Sequence, residues 1–369
     1  VEHPTGDPIR GLVLSGMDPA RTGVAFMWDI FNRGKRSIAV DVGRPDGREL
    51  IMRLAEQSDV FLTSFLPAAR RRLGIDTDDV RARNPRIVYA TGSGQGPQGP
   101  ESEKGGYDAI SFWSRCGIAS AATAPGSEWP VGMPAGAFGD TISGALLAGG
   151  VAAALGHRDR TGEAVTVDGS LLASGLWAMQ TGIAGSAVLG MDEMPKRPRE
   201  SMPNPLVNTY RTADDRYVML CMLQSDRYWD RFCAVSGCPE LASDPRFATS
   251  EARAANSSEC VKALDDLFSG RTLDEWRRVL ARQEGQWDVV QRAGELAGDA
   301  QARANRYVQD VVCSGAGTIP MVAAPVQFDR SGQELRSAPE LGADTEAVML
   351  ELGMSWDEIV RAKEAGAVI

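Results

Sequence analysis

Switches of hydrophobic period along the first half of the chain predict an α/β domain, and a change of composition near residue 195 predicts a smaller α+β domain after it. The β-branched run Ile38-Ala39-Val40-Asp41-Val42 is followed by Leu50, Ile51 and Leu54 at helical spacing, then by a second apolar run, Val60-Phe61-Leu62. A third run, Ile87-Val88-Tyr89-Ala90, follows Asn84-Pro85, and such alternation implies a parallel sheet with crossover helices. Between Met191 and Pro205 the chain turns to Pro, Lys, Arg, Glu and Ser, the composition of a linker.

The second unit opens with a hairpin signal at Asp214-Asp215 and the strand 217–222. In its helical part Val261, Leu264, Leu267 and Phe268 share one face, and Thr272-Leu273-Asp274-Glu275 has the form of a capping box before Trp276. The last fifty or so residues turn back to a strand-like Met321-Val322 and a helix over 345–352. The expected organisation is a large domain over 1–195, a small α+β domain over 196–316, and a segment 317–369 that rejoins the large domain.

Charge and composition exclude several functions. The 369 residues carry 39 basic and 49 acidic side chains, a net charge of −10, which disfavours a nucleic-acid groove. There are two histidines, His3 and His157, so zinc sites built on imidazole and Ser-His-Asp hydrolysis are poorly served. The six cysteines are scattered; Cys233 and Cys238 have no partners in sequence for a tetrahedral metal set and read as small buried hydrophobes. A reduced, cytoplasmic thiol pool is the simpler expectation. The apolar run 144–156 is short of the roughly 20 residues of a membrane span and reads as a close-packed core helix. No membrane, nucleic-acid or metal partner is expected, and Val1-Glu2-His3-Pro4 lacks the basic head and apolar body of a signal peptide.

What chemistry remains must lean on carboxylates, tyrosine or thiols. Gly94-Gln95-Gly96-Pro97-Gln98-Gly99 formally matches a dinucleotide fingerprint after a strand, but Pro97 and Pro100 prevent a helix from opening, so it reads as an irregular loop beside a pocket. In 136–144 the carboxylate of Asp140 is flanked by small residues directly before the Ala/Gly-rich helix. On residue type Asp140 is an N-cap; the same position also suits a nucleophilic carboxylate, ionised by the helix dipole and approachable over glycine neighbours. Tyr107-Asp108 follows Lys104-Gly105-Gly106 at a loop-to-helix junction, where Asp108 caps the next helix and Tyr107 packs, or both face a ligand. Arg70, Arg71 and Arg72 form either a solvated helix face or a phosphate contact.

These landmarks, in their order and spacing, resemble the family III CoA transferases of the CaiB/BaiF type, which include formyl-CoA transferase and the carnitine CoA transferases. The matching segments are Asn32-Arg33-Gly34-Lys35-Arg36-Ser37, Pro45-Asp46-Gly47-Arg48-Glu49-Leu50, Arg72-Leu73-Gly74, Arg83-Asn84-Pro85-Arg86, Gly106-Tyr107-Asp108 and Gly139-Asp140. They continue with Arg160-Thr161-Gly162-Glu163, Ser170-Leu171-Leu172 and Ala338-Pro339-Glu340-Leu341-Gly342. The resemblance implies a Rossmann-like large domain and an interlocked homodimer with its active site near the interface. It also implies an acyl-CoA:carboxylate CoA transferase whose substrates are an acyl-CoA and a carboxylic acid acceptor, with no cofactor beyond coenzyme A itself.

By the same resemblance Asp140 is the nucleophile, forming a mixed anhydride and then an aspartyl-CoA thioester. Tyr107 and Asp108 line its site, and His3, Val40, Ser64, Phe65 and Arg72 contact CoA. Racemases of the superfamily carry histidine where this chain has Tyr107, and tyrosine is a poor base at neutral pH, so the residue favours transfer. An acyl-CoA racemase or isomerase using Asp140 with another base, and a catalytically weak CoA-binding protein, are the alternatives. The chain departs from the family in three places. The family's first strand-helix unit is absent ahead of Val1. Arg199-Glu200-Ser201-Met202-Pro203-Asn204-Pro205 replaces the glycine-rich loop of formyl-CoA transferase, and Ala173 stands where many members have an acidic residue. Trp113, Trp129 and Trp177 suggest a roomy apolar acyl pocket or, equally, core packing.

Overall fold

The computed structural model describes residues 1–13, 18–313 and 317–369. The chain divides into two compact units, one comprising Val1–Thr123, Trp129–Met194 and Ala300–Ile369, the other Ala124–Glu128 and Pro195–Asp299.

The first unit is built on a parallel sheet in the order β1-β2-β3: β1 (Val60–Thr63), β2 (Val88–Ser93) and β3 (Thr166–Ser170). Val60 pairs with Val88, Tyr89 with Thr166 and Ser93 with Ser170. Buried on both sides, the middle strand reads as a continuous apolar run, and Ile87, Val88, Tyr89 and Ala90 are fully enclosed. Before the sheet come α1 (Phe26–Asn32) and α2 (Pro45–Glu56). Proline at its start and Asp46 in its first turn favour the entry of α2, which buries Leu50, Ile51, Met52 and Ala55. Gly47 is required there, because a Cβ would lie 2.1 Å from the Asp41 carbonyl oxygen. After β1, α3 (Pro67–Leu73) carries the arginine run and ends on Gly74 in the left-handed region.

The expected strand at 38–42 is reduced to two single bridges, Glu2 to Ala39 and Val40 to Val368. Each partner offers one residue: after His3 comes Pro4, which has no N–H for a ladder, and Gly6 turns the chain at φ 86°.

Helix α4 (Phe138–Thr161) corrects a second expectation. Only Gly139, Ala154 and Arg158 are buried, so the run 144–156 is not a close-packed core helix. Leu147 and Gly150 lie against Gly92, Val167 and Gly169 of β2 and β3, while Ile142 and Leu146 stay exposed. By length and composition this one helix among the described residues could cross a membrane. In this fold it forms the layer over the sheet, anchored by Arg158, which donates to the Asp59 carboxylate at 2.9 Å. Two further helices follow β3, α5 (Leu171–Ala178) and α6 (Gln180–Leu189).

The second unit contains the antiparallel hairpin β4 (Val207–Arg211) and β5 (Tyr217–Cys221), turned through Asp215 at φ 57°, with β6 (Trp287–Val289) beside β5. Its core stacks Tyr210 on Phe268 at 4.8 Å and Phe268 on Trp276 at 4.2 Å. Trp276 belongs to a helix, Leu273–Leu280, that opens on the Thr272/Glu275 capping box. Cys233, Cys238 and Cys260 are buried within this aromatic core.

The chain then returns to the first unit. Strand β7 (Val308–Cys313) pairs antiparallel with β8 (Gly317–Val322), so residues from Ala300 onward group with the large unit. The boundary expected after 316 falls beside residues 314–316, which lie outside the described ones, and the strands on either side belong together. Helices Thr345–Glu351 and Trp356–Glu364 close one core with the first hundred residues: Val348, Met349 and Ile359 pack with Ile38, Val40, Leu50 and Ile51.

Candidate active site

All three strands of the parallel sheet end at one cavity of about 530 Å³, the position where open α/β sheets bind ligands. Ser64 and Leu66 follow β1, Gly92, Ser93 and Gly94 end β2, and Gly169, Ser170 and Leu171 end β3. After β2 the 94–99 segment is an irregular loop with no helix at its end, as its prolines require. Its first glycine lies on Gly106: a Cβ on Gly94 would meet the Gly106 Cα at 2.7 Å, and one on Gly106 would meet Ser111 Oγ at 2.2 Å. Two glycines therefore clamp the end of β2 to the residues before Tyr107.

That clamp presents Tyr107 and Asp108 differently. Tyr107 is 80 % exposed on the cavity wall, so it does not pack. Asp108 opens a π-helical turn, Asp108–Ser114, and is only 7 % exposed. Such turns recur at functional sites. The Asp108 Oδ1 accepts from the Ala109 N–H at 2.8 Å; its Oδ2 is buried with no partner. A buried carboxylate oxygen without a donor is costly, which marks the position as more than a cap.

Asp140 comes from the opposite wall. Phe138 packs edge-on against Phe112 and Trp113, at 6.4 and 6.1 Å between ring centres. Gly139 lies directly on the Phe112 ring, where a Cβ would approach to 2.5 Å. The Gly-Asp step thus seats the first turn of α4 on an aromatic shelf and aims the next side chain into the cavity. The N-cap expectation for Asp140 is corrected: the cap position is Ala137, at φ 59° and without a side-chain bond, and Asp140 lies inside the first turn. The Asp140 carboxyl is solvent-accessible at the cavity mouth, yet the protein around it raises its pKa, chiefly by desolvation and secondly by the charge of Asp108. Ser143, one turn along and lining the same cavity, has a buried Oγ without a partner. Its i,i+3 spacing from Asp140 was the available signal for it.

The residues expected at CoA divide. Ser64 lines the cavity and Phe65 is half exposed beside it. On α3, Arg70 pairs with Asp76 and Arg71 with Glu103, whereas Arg72 is exposed and has no ion pair among the described residues. His3 bonds Thr5 Oγ1 through Nδ1 at 2.8 Å, with Nε2 4.0 Å from Asp41. Val40 is 1 % exposed in the core. Neither lines the cavity. The tryptophans do not line it either: Trp113 is buried and donates to the Val131 carbonyl, while Trp129 and Trp177 are exposed.

Comparison with known proteins agrees with this arrangement. The sequence matches CoA-transferase family III over residues 1–345. It is 28% identical over 369 residues to the (R)-2-hydroxy-4-methylpentanoate CoA-transferase of Clostridioides difficile, covering 100% of this chain and 91% of that protein. It is 27% identical over 363 residues to the cinnamoyl-CoA:phenyllactate CoA-transferase of Clostridium sporogenes, covering 97% and 87%. The fold superposes on a CaiB/BaiF family protein from Brucella suis with a TM-score of 0.79 and 27% identity, over 95% of this chain and 90% of that one. The cavity at the strand ends, the glycine-seated aspartate and these matches over nearly the whole chain together establish that the protein belongs to CoA-transferase family III.

Proposed function

We propose that the protein moves CoA from an acyl-CoA to a carboxylic acid through a covalent intermediate on Asp140. The observation that carries this reading is the seating of Asp140 on Gly139 and Phe112 at the mouth of the strand-end cavity, with its basicity raised by partial desolvation against the surrounding protein and by Asp108. A more basic carboxylate is a better nucleophile. One oxygen of Asp140 attacks the thioester carbonyl and the CoA thiolate leaves, giving a mixed anhydride. The thiolate then attacks the aspartyl carbonyl, releasing the donor's acid, which carries away that oxygen, and leaving Asp140 as the CoA thioester. An acceptor carboxylate repeats the two steps in reverse and departs as the new acyl-CoA.

In this scheme Tyr107, exposed on the cavity wall, donates to the oxyanion that develops on the attacked carbonyl. Asp108 stays behind Asp140 and tunes it. Ser64 and Phe65 flank the pantetheine arm, and the unpaired Arg72 is available to a phosphate of CoA, with His3 as a further nucleotide contact and Val40 supporting it from the core. The substrates named for the two relatives carry branched or aromatic side chains, which supports an acid of similar bulk here. We also propose a homodimer, supported by apolar residues left exposed on α5 and α6, and a cytoplasmic setting, supported by six unbridged cysteines.

The decisive experiment is mass spectrometry after incubation with a panel of acyl-CoAs, with hydroxylamine as trap. Wild type should gain a derivative at Asp140, and Asp140→Ala should lose both the derivative and at least about a thousandfold of the transfer rate. Transfer by Asp140→Ala at the wild-type rate would sink the mechanism.

A further inference from the structure

A second cavity, of about 600 Å³, also borders Asp140. The periodicity of α4 explains how one residue serves two spaces. Ser143 and Leu147 face the strand-end cavity, Thr141 and Ala148 face the second, and Asp140 with Gly144 forms the ridge between them. Gly144 leaves that ridge bare: a Cβ built there meets nothing within 4 Å. The Asp140 carboxylate therefore stands at an open pass between two chambers.

The chambers differ in chemistry. The second is walled by apolar side chains, among them Phe31, Val322 and Leu335, and carries the cation of Arg33 from the end of α1. Arg33 is half-buried and donates to the carbonyl of Ile30, and no acidic side chain pairs with it among the described residues. Burial lowers its pKa, as expected for a cation lacking a counter-charge. Lys35 close by adds to the positive field, and Arg336 also lines the chamber without an ion pair among the described residues; Glu334 is its other acidic wall residue besides Asp140. A carboxylate entering from solvent would supply the missing partner in the bidentate geometry that guanidinium favours.

We propose that this second chamber is the acid pocket, in which Arg33 holds the free carboxylate of the acceptor, and of the acid released from the donor, beside Asp140. The assignment rests on the transfer reading above. It follows from the exchange itself: the leaving acid and the incoming acid react at the same aspartyl carbonyl while CoA occupies the strand-end cavity, so one pocket serves both. Its apolar walls suit a monocarboxylic acid with a branched or aryl tail.

The test is two-substrate kinetics with acetyl-CoA as donor and 4-methylpentanoate as acceptor, beside mass spectrometry of the Asp140 thioester. Arg33→Gln should raise the KM for the acid at least tenfold, leave the KM for acetyl-CoA within about twofold, and still form the thioester; Arg33→Lys should recover part of the loss. An unchanged acid KM in Arg33→Gln, with wild type active, overturns the pocket and leaves the transfer reading standing. Absence of both thioester and transfer in wild type overturns the two together. Should Arg33→Gln fail to fold, Ala148→Phe, on an exposed position of α4, fills the same chamber: it should raise the KM for 4-methylpentanoate by a larger factor than that for propanoate, and equal fold changes for the two acids would refute the proposal.

Discussion

Asp140 is an aspartate whose ionised form is disfavoured by its surroundings. A carboxyl whose pKa is raised on folding binds its proton more tightly in the native state than in the unfolded chain. Above both pKa values the ionised native form therefore costs stability, and the cost fades as the pH falls toward the ordinary aspartate value of 3.8. Replacing Asp140 by Asn should accordingly stabilise the protein near pH 7 to 8. Because the carboxyl is solvent-accessible the gain is small, a Tm higher by about 1 to 3 °C. Calorimetry across pH checks this, and a Tm for Asp140→Asn below wild type at pH 8 contradicts it. In the proposed transfer, this lost stability is the counterpart of a more basic nucleophile. At this scale the sequence was ambiguous: Asp140 and Asp108 could be helix caps and Tyr107 a packing ring, and only the structure places Asp140 and Tyr107 around one cavity and leaves a buried Asp108 oxygen without a partner. Val40, by contrast, is enclosed in the core, because local pattern does not say which side of a bridge a β-branched residue faces. Arg33 lay within a recognised landmark without a role, since the lack of an acid partner exists only in three dimensions.

Among the elements, α4 shows where pattern reading stops. Apolar composition correctly announced a helix and wrongly announced its burial, because hydropathy records what a face could cover and not whether anything covers it. The parallel sheet was easier: strands β1 and β2 and the helix before them each change period, and their connections leave few topologies open. The single bridges at Ala39 and Val40 were not legible, since pairing depends on partners that are nearly forty and over three hundred residues away. The seating of α4 is itself testable. Gly139→Ala should push the first turn off Phe112 and lower kcat by about ten- to a hundredfold, with acyl-CoA binding within about threefold, because displacements near 1 Å suffice for such losses. Combining it with Phe112→Leu should restore part of kcat. A wild-type kcat for Gly139→Ala alone would show that the aromatic shelf does not position the carboxylate.

For the whole molecule, the helices after β3 leave several large apolar side chains uncovered. Trp177 is 65 % and Val188 86 % exposed, and Leu176, Ile183 and Leu189 lie open as well. Isolated exposed apolar residues are ordinary, but several on two successive helices support the homodimer proposed above. Light scattering should return twice the chain mass, and the double change Ile183→Asp with Val188→Asp should shift the protein toward the monomer without loss of helical circular dichroism. A monomeric wild type at micromolar concentration would remove the homodimer.

Ala137 carries a consequence for what holds Asp140 in place. A residue with a Cβ held at φ 59° sits about 1 kcal/mol or more above its preferred backbone state, and no side chain caps the helix that begins there. Nothing local commits the chain to start α4 at that point; the rings of Phe112 and Trp113 do so from outside. A chain in which that aromatic shelf has not formed would therefore possess the aspartate but not its aim: the direction of Asp140 is set by tertiary packing and not by its own helix.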